Sequence, residues 1–174
     1  TESCWGGRTT SLHGETEPGR VEGRVVIDDG EYYGIGIRQD DVVSVAWGSE
    51  NCSVVAYSVK DESTLVSLWA YVGYSDIGSE VATLLEEEPP VIEGNYTVDG
   101  ANPDGRTYIG KLEVVADGDV YQWLWDVDGE FVGTGIQDGD VVSVVWGGDD
   151  CGAISYVIEE DGVMTGPWVY VGMN

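Results

Sequence analysis

Few side chains in this sequence could carry out acid–base or nucleophilic chemistry. His13 is the single histidine, and as a general base it would need both an orienting partner and a nucleophile. It lies in a weakly patterned polar stretch, which favours a surface histidine. Ser44 and Ser143 lie in alternating valine runs, where hydroxyls are typical of strands. The sequence therefore predicts that the protein has no catalytic residues and is not an enzyme.

Acidic side chains could instead bind metal, since 33 Asp and Glu residues stand against 7 Lys and Arg residues. The best candidate is the segment 126–130, Asp-Val-Asp-Gly-Glu, but its spacing departs from the twelve-residue calcium loop and it lacks the terminal Glu. The cysteines do not have metal-ligand spacing, and one histidine cannot complete a zinc site. We expect no metal centre and no cofactor, with a structural calcium ion at 126–130 as the alternative.

Aromatic residues are the remaining candidates for a binding site. Trp123 and Trp125 alternate along one predicted strand, so both side chains face the same side. Such rings could pack in the core, because a small barrel is usually filled by its own side chains, or they could line a ligand site or a sugar-stacking surface. Core packing is the favoured interpretation. The candidate aromatic residues are Trp47, Tyr57, Trp69, Trp123, Trp125, Trp146, Tyr156 and Trp168.

Cysteines and glycosylation acceptors bear on the compartment. Three cysteines allow at most one internal disulfide. Cys4 could pair with Cys52 and leave Cys151 free, or a cysteine could form a bond to another chain. Asn51 and Asn95 each begin an Asn-x-Ser/Thr triplet, which predicts a glycosylated protein that is extracellular or at the cell surface.

The net charge of −26 limits the classes of partner. Such a surface repels nucleic acid and anionic membranes, and no stretch is apolar enough for a membrane-spanning helix. The acidity could serve solubility, attract divalent cations, or be an adaptation to high salt. The sequence begins at Thr1 without an initiator methionine or a signal-like segment, which indicates a processed mature form or a trimmed product.

An internal repeat organises the chain. The segment 29–37 matches 128–136, and 41–48 matches 140–147, in both cases with an offset of 99 residues. The match continues without a gap through the pairs Cys52/Cys151, Tyr57/Tyr156 and Trp69/Trp168. A gap-free match of this length indicates that both halves share one fold.

The second copy shows the strand pattern most clearly. Alternating segments separated by turn residues predict strands at the spacing of barrels and sandwiches, and no segment has a helical period. The predicted strands are 93–99, 107–115, 120–127, 130–136, 141–146, 153–158 and 163–171. The predicted fold class is all-β, with two tandem antiparallel β-barrel or β-sandwich modules of about seven strands each. The modules span 1–84 and 93–174, and an acidic, proline-containing linker spans 85–92.

The two copies differ at their ends. The first continues into 74–84, a predicted eighth strand, and the second opens with the strand 93–99, which has no match in the first. Each copy therefore looks one strand short: the first copy lacks its first strand and the second its last. Either a seven-strand unit closes alone, or the open edges pair between molecules. Because the two edges differ, such pairing would be head-to-tail and would propagate into a filament.

The stretch from Gly94 to Gly110, with Trp125, Gly133, Gly135 and Tyr156 behind it, resembles small secreted bacterial proteins of the fibronectin-binding-like type. These look similar to calycin-type eight-strand barrels. The resemblance covers the second copy and most of the first, and implies an extracellular binding module without catalysis. It carries over no functional residue.

Two hypotheses of function follow from these patterns. The first is a structural or adhesive extracellular subunit whose partners are copies of itself, with an extracellular protein or a glycan as a further partner. The alternative is a secreted β-barrel protein that binds a small apolar molecule or a sugar.

Overall fold

The computed structural model describes residues 20–27, 30–39, 41–85, 92–160 and 163–172, and for residues 20–33 it describes the backbone alone. His13 and Cys4 lie outside these ranges. The strands are β1 (Arg20–Ile27), β2 (Gly30–Gln39), β3 (Val42–Trp47), β4 (Ser53–Asp61), β5 (Thr64–Tyr71), β6 (Gly78–Leu84), β7 (Gly94–Ala101), β8 (Thr107–Asp117), β9 (Val120–Asp126), β10 (Glu130–Asp138), β11 (Val141–Trp146), β12 (Gly152–Ile158), β13 (Met164–Thr165) and β14 (Trp168–Tyr170).

A closed barrel is built from the eight consecutive strands β4 to β11. Each strand pairs antiparallel with the next along the chain, and β11 closes the barrel by pairing with β4 from Val141↔Ser58 to Trp146↔Ser53. The turn between β9 and β10 has positive φ at both Asp128 (53°) and Gly129 (147°), as the Asp-Gly pair predicts for a tight hairpin. The segment 53–146 is therefore an up-and-down barrel.

A second sheet forms from the strands on either side of the barrel segment in the chain. Its order is β1-β2-β3-β12, with β13 and β14 both pairing with β12. The strands that precede the barrel segment are joined to those that follow it by the pairing of β3 with β12, from Val42↔Val157 to Trp47↔Gly152. The part of the chain that the structure describes contains no helix long and apolar enough to cross a membrane.

The repeat explains how these two sheets are related. The offset of 99 residues makes β3 equivalent to β11 and β4 equivalent to β12. Yet β3 pairs with β12, and β11 pairs with β4. If each half formed its own sheet, β3 would pair with β4 and β11 would pair with β12. Instead, each of these strands pairs with a strand of the other half. We call this arrangement the strand exchange.

The strand exchange has an approximate local twofold axis. A residue that touches its own repeat equivalent lies on such an axis, and two pairs do so. The hydroxyl oxygens of Ser44 and Ser143 are 2.6 Å apart in a buried hydrogen bond. Cys52 and Cys151 form a disulfide, and both are fully buried. The pairing of Cys52 with Cys4 that the sequence suggested is therefore wrong.

The core has two parts. One lies inside the barrel, and the other lies between the barrel wall and the second sheet. On β4, Val55 and Tyr57 face the interior, whereas Val54 and Ala56 face the second sheet. Strand β11 is buried over Val141–Val145. These runs are apolar on successive residues because both faces of the strand are covered.

The structure confirms an all-β fold with an antiparallel barrel, but it does not confirm two tandem modules of about seven strands each. The closed barrel has eight strands, and β6 and β7, which flank the predicted linker 85–92, are hydrogen-bonded neighbours. The strand that each half lacks is thus supplied to this barrel by the other half of the same molecule. Residues 86–91 lie outside the described ranges, and the boundaries 1–84 and 93–174 stay predictions.

Most predicted strands of the second half appear within a few residues of their predicted ends, and 141–146 has the predicted bounds. The predicted strand 163–171 is interrupted, giving β13 and β14. Two residues account for the break. Pro167 has no N–H to donate to a ladder, and a Cβ at Gly166 would collide with the carbonyl oxygen of Ser155.

Replacing both disulfide cysteines, as Cys52→Ala with Cys151→Ala, should lower the free energy of unfolding by about 2–5 kcal/mol, because the bond closes a long loop. Urea denaturation with and without reductant measures this. The reductant should destabilise the unaltered protein and leave the double variant unchanged. Peptide mapping of the unreduced protein should yield the Cys52–Cys151 cross-link. A map dominated by a Cys4–Cys52 peptide would contradict the strand exchange.

Candidate ligand-binding site

One end of the barrel holds an open cleft of about 200 Å³, and buried side chains such as Val98, Leu112 and Val142 pack in the rest of the interior. The cleft lies where β4 and β8 begin and β5, β9 and β11 end, next to the loops that carry the disulfide. The aromatic residues that line it are Tyr57, Trp69, Tyr71, Tyr108, Trp125, Phe131 and Trp146, and the others are Val55, Glu80, Asn102, Val127 and Asp128.

Glu80 is the buried acid of the cleft. Strand β6 alternates, so that Gly78, Glu80 and Ala82 are buried while Ser79 and Val81 are exposed. Only 5% of Glu80 is accessible to solvent. Its position on the inward face of the barrel places a carboxyl group among aromatic rings, where an unpaired charge is costly.

Three uncharged groups donate hydrogen bonds to the Glu80 carboxylate. Tyr57 Oη donates to Oε1, Tyr108 Oη donates to Oε2 at 2.8 Å, and Trp125 Nε1 donates to Oε1 at 3.3 Å. The Trp125 N–H also lies 3.2 Å from Tyr57 Oη. The donors come from β4, β8 and β9, so the barrel must close before the carboxylate is satisfied.

Burial raises the pKa of Glu80 above the usual carboxyl value, and the three hydrogen bonds offset part of that rise. Burial, together with the charge of Glu80, also raises the pKa of Tyr57 and Tyr108. Both tyrosines therefore keep their protons and remain donors across the physiological pH range. The Glu80 carboxyl is the group of this network that can change its charge.

Glycines within the strands provide room for the rings of the cleft. A Cβ at Gly78 would clash with the indole of Trp69, and a Cβ at Gly100 would clash with the ring of Tyr108. Each ring lies across the backbone of the neighbouring strand, where only glycine leaves space. The Nε1 of Trp69 is buried and has no hydrogen-bond partner within the described ranges.

The predicted aromatic residues divide between the two sheets. Tyr57, Trp69, Trp125 and Trp146 line the cleft. Trp123 is fully buried beneath it and stacks on Tyr57, with ring centroids 4.6 Å apart. Trp47, Tyr156 and Trp168 belong to the second sheet, where Trp47 and Trp168 both contact Tyr170.

The sequence prediction missed Glu80, Tyr71, Tyr108 and Phe131. The strand that contains Glu80 was expected, but nothing in its composition shows that Glu80 faces inward, because its neighbour Val81 is the more apolar residue. Tyr108 had a usable signal, since in-strand glycines often mark a close approach by a ring, and its cross-strand partner is Gly100.

The structure also places the other predicted sites. Asn51 is exposed in the β3–β4 loop, and Asn95 is exposed on β7. The segment 126–130 forms the β9–β10 hairpin turn, from which Asp128 reaches the cleft. Cys52, Asp150 and Cys151 lie close enough together to resemble a metal site, but both sulfur atoms belong to the disulfide, so neither is a thiolate ligand.

No family model matches this chain, and no curated protein or solved structure matches it significantly. The resemblance to fibronectin-binding-like proteins therefore stays a prediction, and the cleft has to be interpreted from its own chemistry.

Replacing Glu80 with glutamine should change how stability depends on pH. A carboxyl whose folded-state pKa is raised costs nothing below its unfolded pKa, and it destabilises the fold increasingly as the pH rises through the folded pKa. Glu80→Gln should therefore gain stability relative to the unaltered protein as the pH rises from the unfolded carboxyl pKa of about 4 to the raised folded-state pKa, by roughly 1.4 kcal/mol per unit of pKa elevation.

Urea denaturation at several pH values measures this difference. Glu113→Gln is the matched control, because it removes the same charge from an exposed position on β8. Equal pH dependence in the two variants would show that Glu80 does not carry a raised pKa.

Proposed function

We propose that this protein is a secreted, non-enzymatic barrel that binds a small molecule in the aromatic cleft. The observation that carries the proposal is a cleft of about 200 Å³ in which seven aromatic side chains surround one buried carboxyl group. Sites for small ligands are typically concave and mostly apolar, with a few convergent polar groups that orient the ligand.

The packing supports a site over a core that is merely incomplete. Trp123, on the filled side, is fully buried, whereas Phe131, at the cleft, is 39% exposed. Trp146 and Tyr71 are also partly exposed, and their rings contact each other at 84°. An exposed aromatic group with an unfilled space beside it gains stability when a ligand covers it.

The disulfide supports the extracellular part of the proposal. Bonds of this kind form and persist mainly in oxidising compartments, and Cys52–Cys151 lies at the crossing of the two halves. The exposed side chains of Asn51 and Asn95, the two glycosylation acceptors, are compatible with the same compartment.

Tryptophan fluorescence should detect binding, because three tryptophans line the cleft. Titration with a panel of short alcohols, monosaccharides, carboxylic acids and alkylamines should give saturable changes for at least one class. Trp146→Leu should weaken binding of that ligand about 3- to 10-fold, as expected for one aromatic contact. A panel without any saturable response would contradict the proposal.

Trp47→Leu is the matched control for this variant. Trp47 is the repeat equivalent of Trp146, but it lies in the second sheet, where it contacts Tyr170. The control should leave the affinity unchanged. An equal loss in both variants would place the ligand elsewhere.

A second candidate function is head-to-tail assembly through the second sheet. Every barrel strand is paired on both sides, so the barrel presents no edge. The second sheet has two outer edges, one along β1 and the other along β13 and β14. No described strand pairs with either edge. These two edges differ, and strand addition between them would propagate rather than close.

Sedimentation velocity over a range of protein concentrations, followed by negative-stain electron microscopy, tests this candidate. Assembly predicts species that grow with concentration and appear as filaments. Monodisperse particles at all concentrations would contradict it, whatever the outcome of the ligand titrations.

A further inference from the structure

We infer that the cleft binds the positively charged group of a small organic amine or quaternary ammonium compound, with the aromatic rings around the cation and Glu80 as its counter-charge. The inference rests on the proposed ligand-binding function and specifies the class of ligand.

The rings of the cleft are arranged as walls. Trp69 and Tyr71 meet at 85°, with centroids 5.6 Å apart, and Trp125 meets Trp146 at 61° and 5.8 Å. In an edge-to-face pair the edge of one ring contacts one face of the other, so the pair does not use up all of its ring faces, and all four rings line the cleft. An aromatic face attracts a cation within about 6 Å of its centroid, and several such faces together form a cage for ammonium groups.

The charges of the cleft are unbalanced. Among the described residues, those that line it include two acids, Glu80 and Asp128, but no lysine, arginine or histidine. The three described groups that donate hydrogen bonds to the Glu80 carboxylate are neutral. A bound cation would compensate the buried carboxylate, whereas a neutral ligand would leave it uncompensated and an anion would be repelled. The net charge of −26 further favours the approach of cations.

The hydrogen-bonding capacity of Glu80 points the same way. A carboxylate has about four acceptor sites, and three are used: two on Oε1 and one on Oε2. Tyr57, Tyr108 and Trp125 already direct their donors to this carboxylate. What remains is acceptor capacity, which suits the N–H groups of a protonated amine or the hydroxyl group of choline better than a sugar, since a sugar also needs donors from the protein. A quaternary ammonium group has no N–H, so it interacts with Glu80 through its charge alone.

The cleft volume limits the size of the ligand. About 200 Å³ corresponds to roughly seven water molecules at about 30 Å³ each. That space accommodates a compact head group such as a methylated ammonium with a short chain.

Binding of a cation should depend on pH through Glu80, because the cation favours the ionised carboxylate. Burial raises the pKa of Glu80, so the affinity for the cation should rise with pH through that pKa and then level off. At a pH below that pKa, binding should release the proton of Glu80 to the buffer. Tyr57 and Tyr108 face Glu80 and keep their protons, and Asp128 is the other acid of the cleft.

Calorimetric titration with choline and with its neutral isostere 3,3-dimethylbutan-1-ol tests the inference on the unaltered protein at constant ionic strength. The two probes have nearly the same shape and differ in charge. Choline should bind at least about tenfold more tightly, and its affinity should fall on acidification. Equal affinity for the two probes, or tighter binding of the isostere, would overturn the inference.

Two variants locate the charge that matters. Glu80→Gln should lose at least about tenfold in choline affinity and little in affinity for the isostere, and it should abolish the pH dependence. Asp128→Asn removes the same charge from the exposed turn and should have a smaller effect. Choline binding that survives Glu80→Gln unchanged would also overturn the inference.

The outcomes separate this inference from the proposed function. If neither probe binds but a neutral or anionic compound of the fluorescence panel does, the cation inference fails and the ligand-binding proposal stands. If no compound of either set binds, both fail.

Discussion

The rest of the structure depends on the crossing of two short loops, where the disulfide between Cys52 and Cys151 joins equivalent positions of the repeat. Each loop leaves one sheet and enters the other, so neither sheet can form correctly unless both loops cross. The crossing is tight. Gly48 and Gly147 adopt φ values of 135° and 139°, and a Cβ at either would collide with a disulfide sulfur. Equivalent residues meet there because the local symmetry requires it.

The crossing has consequences for the packing of both sheets. It brings β6 and β7 together in one barrel, and their pairing completes the closed barrel. Neither strand has a described counterpart in the other half of the repeat. It also lays the second sheet over the outer face of β4 and β11, so that these strands are apolar on both sides. With its outer wall buried in this way, the barrel can leave one end of its interior unfilled. Glu80 and the aromatic rings occupy that end.

Local structure was largely predictable, and pairing was not. Val141–Trp146 and the Asp128-Gly129 turn follow from alternation and turn chemistry. The sequence does not determine the partner of each strand, because β4 and β12 are equivalent in sequence and either could pair with β3. The same ambiguity concealed the disulfide. Two cysteines at equivalent positions of a repeat suggest two separate environments, whereas the local twofold symmetry places Cys52 and Cys151 in contact. Four of the seven aromatic residues of the cleft were among the candidates that the sequence offered, with core packing as the favoured interpretation. The inward direction of Glu80 depends on a register that alternation alone does not fix.

The two sheets show that aromatic residues alone do not define a site. Trp47 and Trp146 are repeat equivalents, yet the first packs against Tyr170 and the second lines the cleft. The difference is the strand that brings Glu80: within the described ranges, the second sheet has no strand equivalent to β6. Burying that carboxyl costs free energy, and an apolar side chain of similar size would stabilise the barrel more. Packing alone therefore gives no reason for an acid at this position. The proposed binding of a cation would give one, because the bound charge would compensate a carboxylate to which the described residues of the cleft bring no cationic side chain.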